Sequence, residues 1–273
     1  LTLYIVPTES LYSLPFEALN NKPSQSANEN TNPKTGETAQ HYLIEDYPIA
    51  YLSSASLLKI LRDSQARKKQ APTNQLLAFA NPVYSTTQID ENSIEGLKIK
   101  GYRSAAGGTF APLPETADEV KEIQKAVDTG GKKSLLQLQQ DASRTSVFNL
   151  NNSKSLDDYR YVVFSCHGIL PGEVSRLMQP ALVLSDPDPQ SKENGYLTMA
   201  DVFGLSFNAD LISLSACNTA QGQKLGGEGV MGLTRAFMYA GTPAIAVTLW
   251  SVESMSIKEL NTGFFQQGKQ RNG

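Results

Sequence analysis

Four short apolar runs in the second half of the chain alternate with segments of helical pattern. The runs are YVVFSC, ALVLSD, LISLSA and AIAVTLW. The segment GVMGLTRAFMYAG precedes the last run, with its apolar residues on one face and Gly241 at its C-cap. Near-continuous apolar strands that alternate with helices are typical of a parallel sheet covered on both faces. The pattern therefore predicts an α/β protein, a three-layer α/β/α sandwich with a mostly parallel sheet.

Before residue 112 the alternation of strands and helices is weaker. LTLYIVP and LLAFANPV are predicted strands, and YPIAYLSSASLLKILRDSQARKK predicts a short strand that leads into an amphipathic helix. Residues 20–40 contain no large apolar side chain, which predicts a surface or disordered loop. LPETADEVKEIQKAV predicts a helix, because Pro114 and several acids open it and its apolar residues share one face.

The composition excludes several classes of function. The 273 residues carry a net charge of −3 and no basic cluster, so direct nucleic-acid binding is not predicted. No apolar run approaches the roughly 18 residues of a membrane helix, and no secretory signal is visible. Two histidines and two cysteines without the usual ligand spacing predict neither a zinc site nor a cofactor. A cytoplasmic chain with free thiols is the favoured interpretation, and flanking domains are expected because the chain begins without methionine.

Two of the apolar runs end in residues that can carry chemistry. YVVFSC is followed by His167 and Gly168, and LISLSA is followed by Cys217. Function in open α/β sheets gathers at the carboxyl ends of the strands, so neighbouring strands would bring the imidazole and the thiol into one crevice. Cys217 follows His167 by 50 residues, a spacing and order like those of caspases. We therefore predict that Cys217 is a nucleophile and His167 its base.

Gly168 and Cys217 also supply backbone N–H groups for a predicted oxyanion hole. Glycine lets the chain turn sharply out of a strand and aim its N–H at a substrate carbonyl. The predicted reaction is attack of the Cys217 sulfur on a peptide carbonyl, with His167 protonating the leaving amine. Water then hydrolyses the acyl-enzyme.

Cys166 stands beside His167 but is not the predicted nucleophile. Successive side chains of a strand point to opposite faces, so these two side chains diverge. Cys166 is predicted to be a small buried apolar residue. A thiol redox function that uses Cys166 and Cys217 is an alternative, although the chain has no C-x-x-C motif.

The segment GGEGVMG has the G-x-G-x-x-G spacing of a dinucleotide site at Gly227, Gly229 and Gly232. Such a site needs its glycines directly after a strand, whereas the polar run NTAQGQKLG intervenes here. The favoured interpretation is a flexible active-site loop that leads into a helix.

Several longer blocks of the chain carry a family resemblance. LISLSACNTAQG and GGEGVMGLTRAFMYAGTPAIAVTLWSVES are the most specific, and FSCHG adds a His-Gly motif. LYIVPTESLYSLPFEAL, YLIEDYPIAYLSSASLL, LLAFANPV and LPETADEVKEI extend the likeness over nearly the whole chain. Together they resemble the CHAT domain, a caspase-like family often found with TPR repeats and related to separase.

The resemblance implies a caspase-like fold in two halves. Residues 1–112 would form a degenerate, inactive caspase-like half. Residues 113–273 would form the active half, and the catalytic dyad of the family maps onto His167 and Cys217 there. The weaker α/β pattern before residue 112 agrees with this division.

The same resemblance places a substrate cleft beside the segment TLWSVES. The residues implied to wall this cleft are Trp250, Ser251, Val252 and Glu253. Relatives that cleave after Arg or Lys often carry an acid two residues before the nucleophile, where this chain has Ser215. Asp186 or Glu253 could supply that carboxylate instead, and a neutral or apolar P1 residue is the alternative. A core role for Trp250 is equally open.

The function implied by the resemblance is that of a bacterial cysteine endopeptidase with particular protein substrates. Regulation by a TPR or other flanking domain, or by a partner such as an RNA-guided effector, is also implied. The alternative is a catalytically silent caspase-like scaffold that uses its cleft to bind proteins.

Overall fold

The structure, a computed structural model, describes residues 2–8, 11, 14–20, 41–66, 70–84, 110–128, 131–171, 177–185, 195–215, 217–218, 228–248 and 254–271. The chain divides into two compact units, Leu1–Lys68 and Lys69–Gly273. The sequence prediction instead placed the boundary between two halves of the chain after residue 112. The likeness of residues 1–112 to an inactive caspase unit stays a prediction. None of the described helices is long and apolar enough to cross a membrane.

The first unit contains a parallel pair of short strands. Its elements are β1 (Leu3–Ile5), α1 (Leu43–Asp46), β2 (Ile49–Tyr51) and α2 (Ala55–Ala66). Leu3 lies opposite Ile49 in the register of β1 and β2. Burial and a 2.7 Å hydrogen bond to the Glu17 carboxylate raise the pKa of Tyr51 to about 12. Both strands and the amphipathic helix predicted for this region are confirmed.

The second unit contains the remaining elements. In chain order they are β3 (Asn74–Ala80), α3 (Glu115–Val127), β4 (Ser134–Leu138), α4 (Arg144–Asn152), β5 (Tyr159–Ser165), β6 (His167–Ile169), β7 (Ala181–Val183), β8 (Tyr196–Thr198), α5 (Met199–Phe203), β9 (Leu211–Leu214), β10 (Cys217–Asn218), α6 (Glu228–Tyr239), β11 (Ile245–Val247) and α7 (Ser254–Arg271). The helices predicted from LPETADEVKEIQKAV and GVMGLTRAFMYAG are confirmed as α3 and α6.

The central sheet has five parallel strands in the order β11-β9-β5-β3-β4. Leu77 of β3 and Phe164 of β5 belong to an apolar cluster to which α4, α5 and α6 contribute. Leu76 and Val163 belong to a second cluster, formed with α3 and α7. Because helices cover both faces, all but the first residue of β3 are buried. The predicted three-layer α/β/α sandwich with a mostly parallel sheet is confirmed.

A second sheet of four strands, ordered β10-β6-β7-β8, begins where two central strands end. β6 follows β5 after Cys166, and β10 follows β9. β10 and β6 pair in parallel, whereas β6 with β7 and β7 with β8 pair antiparallel. The run ALVLSD, expected among the parallel strands, therefore forms β7 of this second sheet. A short apolar run predicts a buried strand but does not specify which neighbour the strand pairs with.

Candidate active site

His167 and Cys217 occupy paired positions on neighbouring strands. β5 and β9 are adjacent in the central sheet, and β6 and β10 continue them past its carboxyl end. In the register of β6 and β10, Cys217 lies opposite His167 and Asn218 lies opposite Gly168. Neighbouring strands lie about 4.8 Å apart. The two strands are thus neighbours, as the predicted dyad requires.

Cys166 belongs to the core and not to this pair. The residue is 1% exposed and lies in the apolar cluster between the central sheet and α4, α5 and α6. The imidazole ring of His167 instead contacts Tyr84 and Phe110, which do not belong to that cluster. The prediction that Cys166 is a small buried apolar residue is confirmed.

Two aromatic rings pack against the imidazole of His167. The ring centroids of Tyr84 and Phe110 lie 5.3 and 5.4 Å from that of His167. The Tyr84 hydroxyl accepts a hydrogen bond from the His167 backbone N–H at 3.4 Å and donates one to the Val183 carbonyl at 3.2 Å. Ring and backbone contacts together therefore hold His167, which is 5% exposed.

The Ala111 carbonyl determines which nitrogen of the imidazole carries the proton. Nε2 of His167 lies 2.8 Å from the Ala111 oxygen. Because a carbonyl oxygen only accepts, Nε2 is the donor, and the neutral ring then presents Nδ1 as an acceptor. Burial lowers the pKa of His167 below 6.5, while the Ala111 bond and the nearby Glu115 offset part of that fall. The imidazole is therefore neutral near neutral pH and able to accept a proton.

Ser215 lies two residues before Cys217, at the position from which the P1 preference was predicted, and it is buried. It is 6% exposed and directly follows the last residue of β9. Its hydroxyl has no hydrogen-bond partner among the described residues. The carboxyl of Glu119 on α3 is also buried, which raises its pKa, and the Asn261 amide offsets part of that rise by donating to Glu119 Oε1 at 2.7 Å. The position two residues before Cys217 thus holds a buried hydroxyl and no carboxylate.

Five predicted substrate-binding residues lie outside the described part of the chain. They are Asp186, Trp250, Ser251, Val252 and Glu253. The side chain of Cys217 also lies outside it. Gly168 is part of β6, and the oxyanion-hole role of its N–H and that of Cys217 stays a prediction. Among the residues that the structure describes, no group of three His, Cys, Asp or Glu side chains could hold a metal ion.

Two of the three glycines of GGEGVMG lie inside a helix. Gly229 and Gly232 belong to α6, as the helix predicted from GVMGLTRAFMYAG requires, and Gly227, in the loop expected to lead into that helix, lies outside the described residues. A Cβ at Gly232 would lie 3.2 Å from the Met199 sulfur of α5, so glycine here lets the two helices approach closely. A dinucleotide loop would need these glycines before the helix.

The residues that surround His167 leave little signal in the sequence. Phe110 and Ala111 lie in a stretch without a periodic pattern, and Ala111 acts through a backbone atom. Tyr84 comes four residues after β3. Its position near the carboxyl end of a strand is the one sequence feature that could have indicated a place in the site.

The parallel sheet and the paired strand ends define a class of protein. In this class, a histidine and a cysteine stand on adjacent strands of an α/β/α sandwich. The chain belongs to the CHAT domain family, whose model matches residues 2–273. This family is related to the caspase-like cysteine peptidases, so the resemblance stated from the sequence is confirmed at the level of the family. No curated protein and no solved structure matches the chain.

Proposed function

We propose that this CHAT domain is a cysteine endopeptidase that cleaves specific proteins with a dyad of Cys217 and His167. The observation that supports this most is the register of β6 and β10, in which the two residues lie opposite each other. Membership of a family related to caspase-like peptidases supports the same reaction. The proposed chemistry needs no cofactor.

His167 acts as base and then as acid in the first half of the proposed reaction. Its neutral ring accepts the proton of the Cys217 thiol, and the thiolate attacks the carbonyl carbon of the scissile peptide bond. The oxyanion that forms accepts hydrogen bonds from the N–H groups of Gly168 and Cys217. His167 then gives its proton to the leaving amine as the C–N bond breaks, which leaves a thioester.

Water completes the proposed reaction and restores the dyad. His167 accepts a proton from the water while the water oxygen attacks the thioester carbonyl, and the C–S bond breaks. The proton then returns to the Cys217 sulfur, so the net change is one peptide bond hydrolysed by one water molecule. The bond from His167 to the Ala111 carbonyl would hold the imidazole in one orientation throughout, as the third group of the site.

Substrate choice and control form part of the proposal. Cleavage is proposed to take place in the cytoplasm, with residues 250–253 and Asp186 contacting the protein substrate. A TPR or other flanking domain, or a partner, would control access to the cleft.

Covalent labelling by a peptidyl acyloxymethyl ketone tests the dyad. We expect the probe to label Cys217, the Cys217→Ala chain to lose this labelling, and His167→Ala to slow it by roughly 100-fold. Cys166→Ala is the matched control and should keep the wild-type rate, because that side chain lies in the core. Probes with basic and with apolar P1 residues would separate the two P1 preferences.

A catalytically silent scaffold would give a different result. Cys217 would then react with the probe no faster than glutathione, and His167→Ala would leave the rate unchanged. That outcome would contradict the proposed peptidase activity and favour a role of the cleft in protein binding.

A further inference from the structure

The second sheet carries an apolar cluster on one of its faces. Ile169, Ala181 and Val183 form the buried floor of this cluster, and each is at most 3% exposed. Ile169 lies two residues beyond His167 on β6, and Val183 lies opposite His167 on β7, so the imidazole belongs to the same face. The base of the proposed dyad therefore adjoins an apolar cluster.

Four partly buried side chains cover this floor, and two of them form an aromatic surface beside the base. The four are Tyr84, Phe110, Leu177 and Tyr196. The Phe110 ring contacts both the imidazole, with centroids 5.4 Å apart, and the Tyr196 ring, at 6.4 Å. Because Phe110 and Tyr196 are only partly buried, some of their apolar surface is available to another molecule.

The register of the second sheet places this aromatic surface in line with the dyad. Cys217 lies opposite His167, and on the other side of β6 the partner of His167 is Val183. Tyr196 lies opposite Val183 in turn. The row crosses β10, β6, β7 and β8, so Cys217 and Tyr196 lie on opposite sides of the base.

The direction of this row indicates which part of a substrate would meet the aromatic surface. In the proposed reaction the Cys217 sulfur attacks the carbonyl carbon, and His167 gives its proton to the leaving amine. The leaving amine therefore lies toward His167, and the chain that follows it continues toward β7 and β8. Two residues of extended peptide span roughly 7 Å, and strands are about 4.8 Å apart, so the first two residues after the scissile bond come within reach of Phe110.

We propose that Phe110 and Tyr196 form a subsite for an apolar side chain of the protein substrate at P1′ or P2′, the first two positions after the scissile bond. The four side chains that cover the cluster offer apolar and aromatic surface, and burial of such surface on both partners favours an apolar residue there. This inference rests on the proposed peptidase function, because it requires a scissile bond at Cys217.

Identification of new N-termini tests the subsite, because P1′ and P2′ are the first two residues of each one. With peptides derived from a bacterial proteome, Leu, Ile, Val, Met or Phe should be enriched at one of these positions by roughly threefold or more. Tyr196→Glu should replace this preference by one for Lys or Arg and slow cleavage at apolar sites by roughly tenfold. Tyr196→Phe should keep the apolar preference, because the ring remains.

Tyr239→Glu is the matched control for the loss of an aromatic ring and the gain of a charge. Tyr239 is 77% exposed and ends α6, which leads from the carboxyl end of β10 back to the amino end of β11. It therefore lies toward the opposite end of the sheet from the dyad, and this variant should keep the wild-type preference. Cleavage is compared at a temperature where circular dichroism shows every chain folded. If Tyr196→Glu does not fold, Tyr196→Thr, which suits a strand and removes the ring, should lose the apolar preference instead.

The outcomes separate the subsite from the dyad. A peptidyl acyloxymethyl ketone carries no residue after the scissile bond, so its labelling of Cys217 reports the dyad alone. New N-termini without an apolar preference, or the same preference in Tyr196→Glu, would overturn the subsite and leave the dyad intact. A wild-type preference for Lys or Arg, which the ring faces and the Glu115 carboxylate near His167 would favour, would overturn it as well. If the wild type forms no new N-termini, the proposed peptidase is wrong and the subsite falls with it.

Discussion

The imidazole of His167 lies among aromatic rings, and this location affects its chemistry in two ways. Removal from water lowers its pKa, which keeps the ring neutral and ready to accept a proton. The Ala111 carbonyl and the nearby Glu115 carboxylate favour the protonated ring instead, so they compensate part of the cost of the imidazolium that the proposed reaction requires. A residue that serves first as base and then as acid needs both influences.

Glu119 gives the folded chain a pH dependence of stability that Glu119→Gln should remove. Burial raises its folded pKa above 4.5, so the folded state binds more protons than the unfolded state between the two pKa values. Its contribution is fully present below the unfolded pKa and is lost as the pH rises through the folded pKa. We expect the wild type to lose free energy of unfolding relative to Glu119→Gln, measured by urea unfolding from about pH 4 to about pH 8. Parallel pH curves for the two chains would show that Glu119 does not have a raised pKa.

Among the elements, α3 begins directly after the segment whose backbone contacts His167. The Thr116 hydroxyl donates to the Leu113 carbonyl at 2.7 Å and accepts from the Asn81 N–H at 2.8 Å, which ties the start of α3 to the end of β3. The segment just before the helix carries Ala111, whose carbonyl bonds to the imidazole. The start of this helix thus anchors the segment that orients the imidazole.

The end of α6 depends on a glycine, and Gly241→Ala should destabilise the fold. Gly241 has a φ of +116°, a conformation that favours glycine, and a Cβ there would overlap the carbonyl oxygen of Phe207. We expect the free energy of unfolding in urea to fall by more than about 1 kcal/mol.

Gly263→Ala is the matched control for this substitution. Gly263 lies inside α7, where a new Cβ would have no neighbour within 4 Å. Alanine favours the helix over glycine, so this variant should gain up to about 1 kcal/mol. Equal changes in the two variants would contradict the backbone explanation for Gly241.

For the whole molecule, the central sheet could be predicted because both of its faces are buried. β3, β5 and β9 are near-continuous apolar runs, and such runs occur where helices cover a parallel sheet on both sides. The second sheet could not be predicted in the same way. Its strands β6 and β7 have three residues each, and their antiparallel pairing depends on where the chain leaves the central sheet. No local pattern specifies that point.

The candidate site could be predicted only in part, because most of its contacts depend on the assembled fold. His167 and Cys217 were expected to meet only if β5 and β9 were neighbours, and strand order is a property of the assembled sheet. Ala111 could not be predicted because it contributes a backbone carbonyl. Tyr84 and Phe110 reach the imidazole from distant parts of the sequence, so their contacts depend on the tertiary fold.

The central claim, proteolysis by Cys217 and His167, is tested most directly by identifying new protein N-termini in a bacterial proteome incubated with the chain. We predict a set of new N-termini that forms with the wild type and with Cys166→Ala. The same set should be absent with Cys217→Ala and with His167→Ala, because loss of a catalytic nucleophile or base lowers the rate by several orders of magnitude. The residues before these N-termini would also report the P1 preference. Formation of the same N-termini by Cys217→Ala would contradict the account.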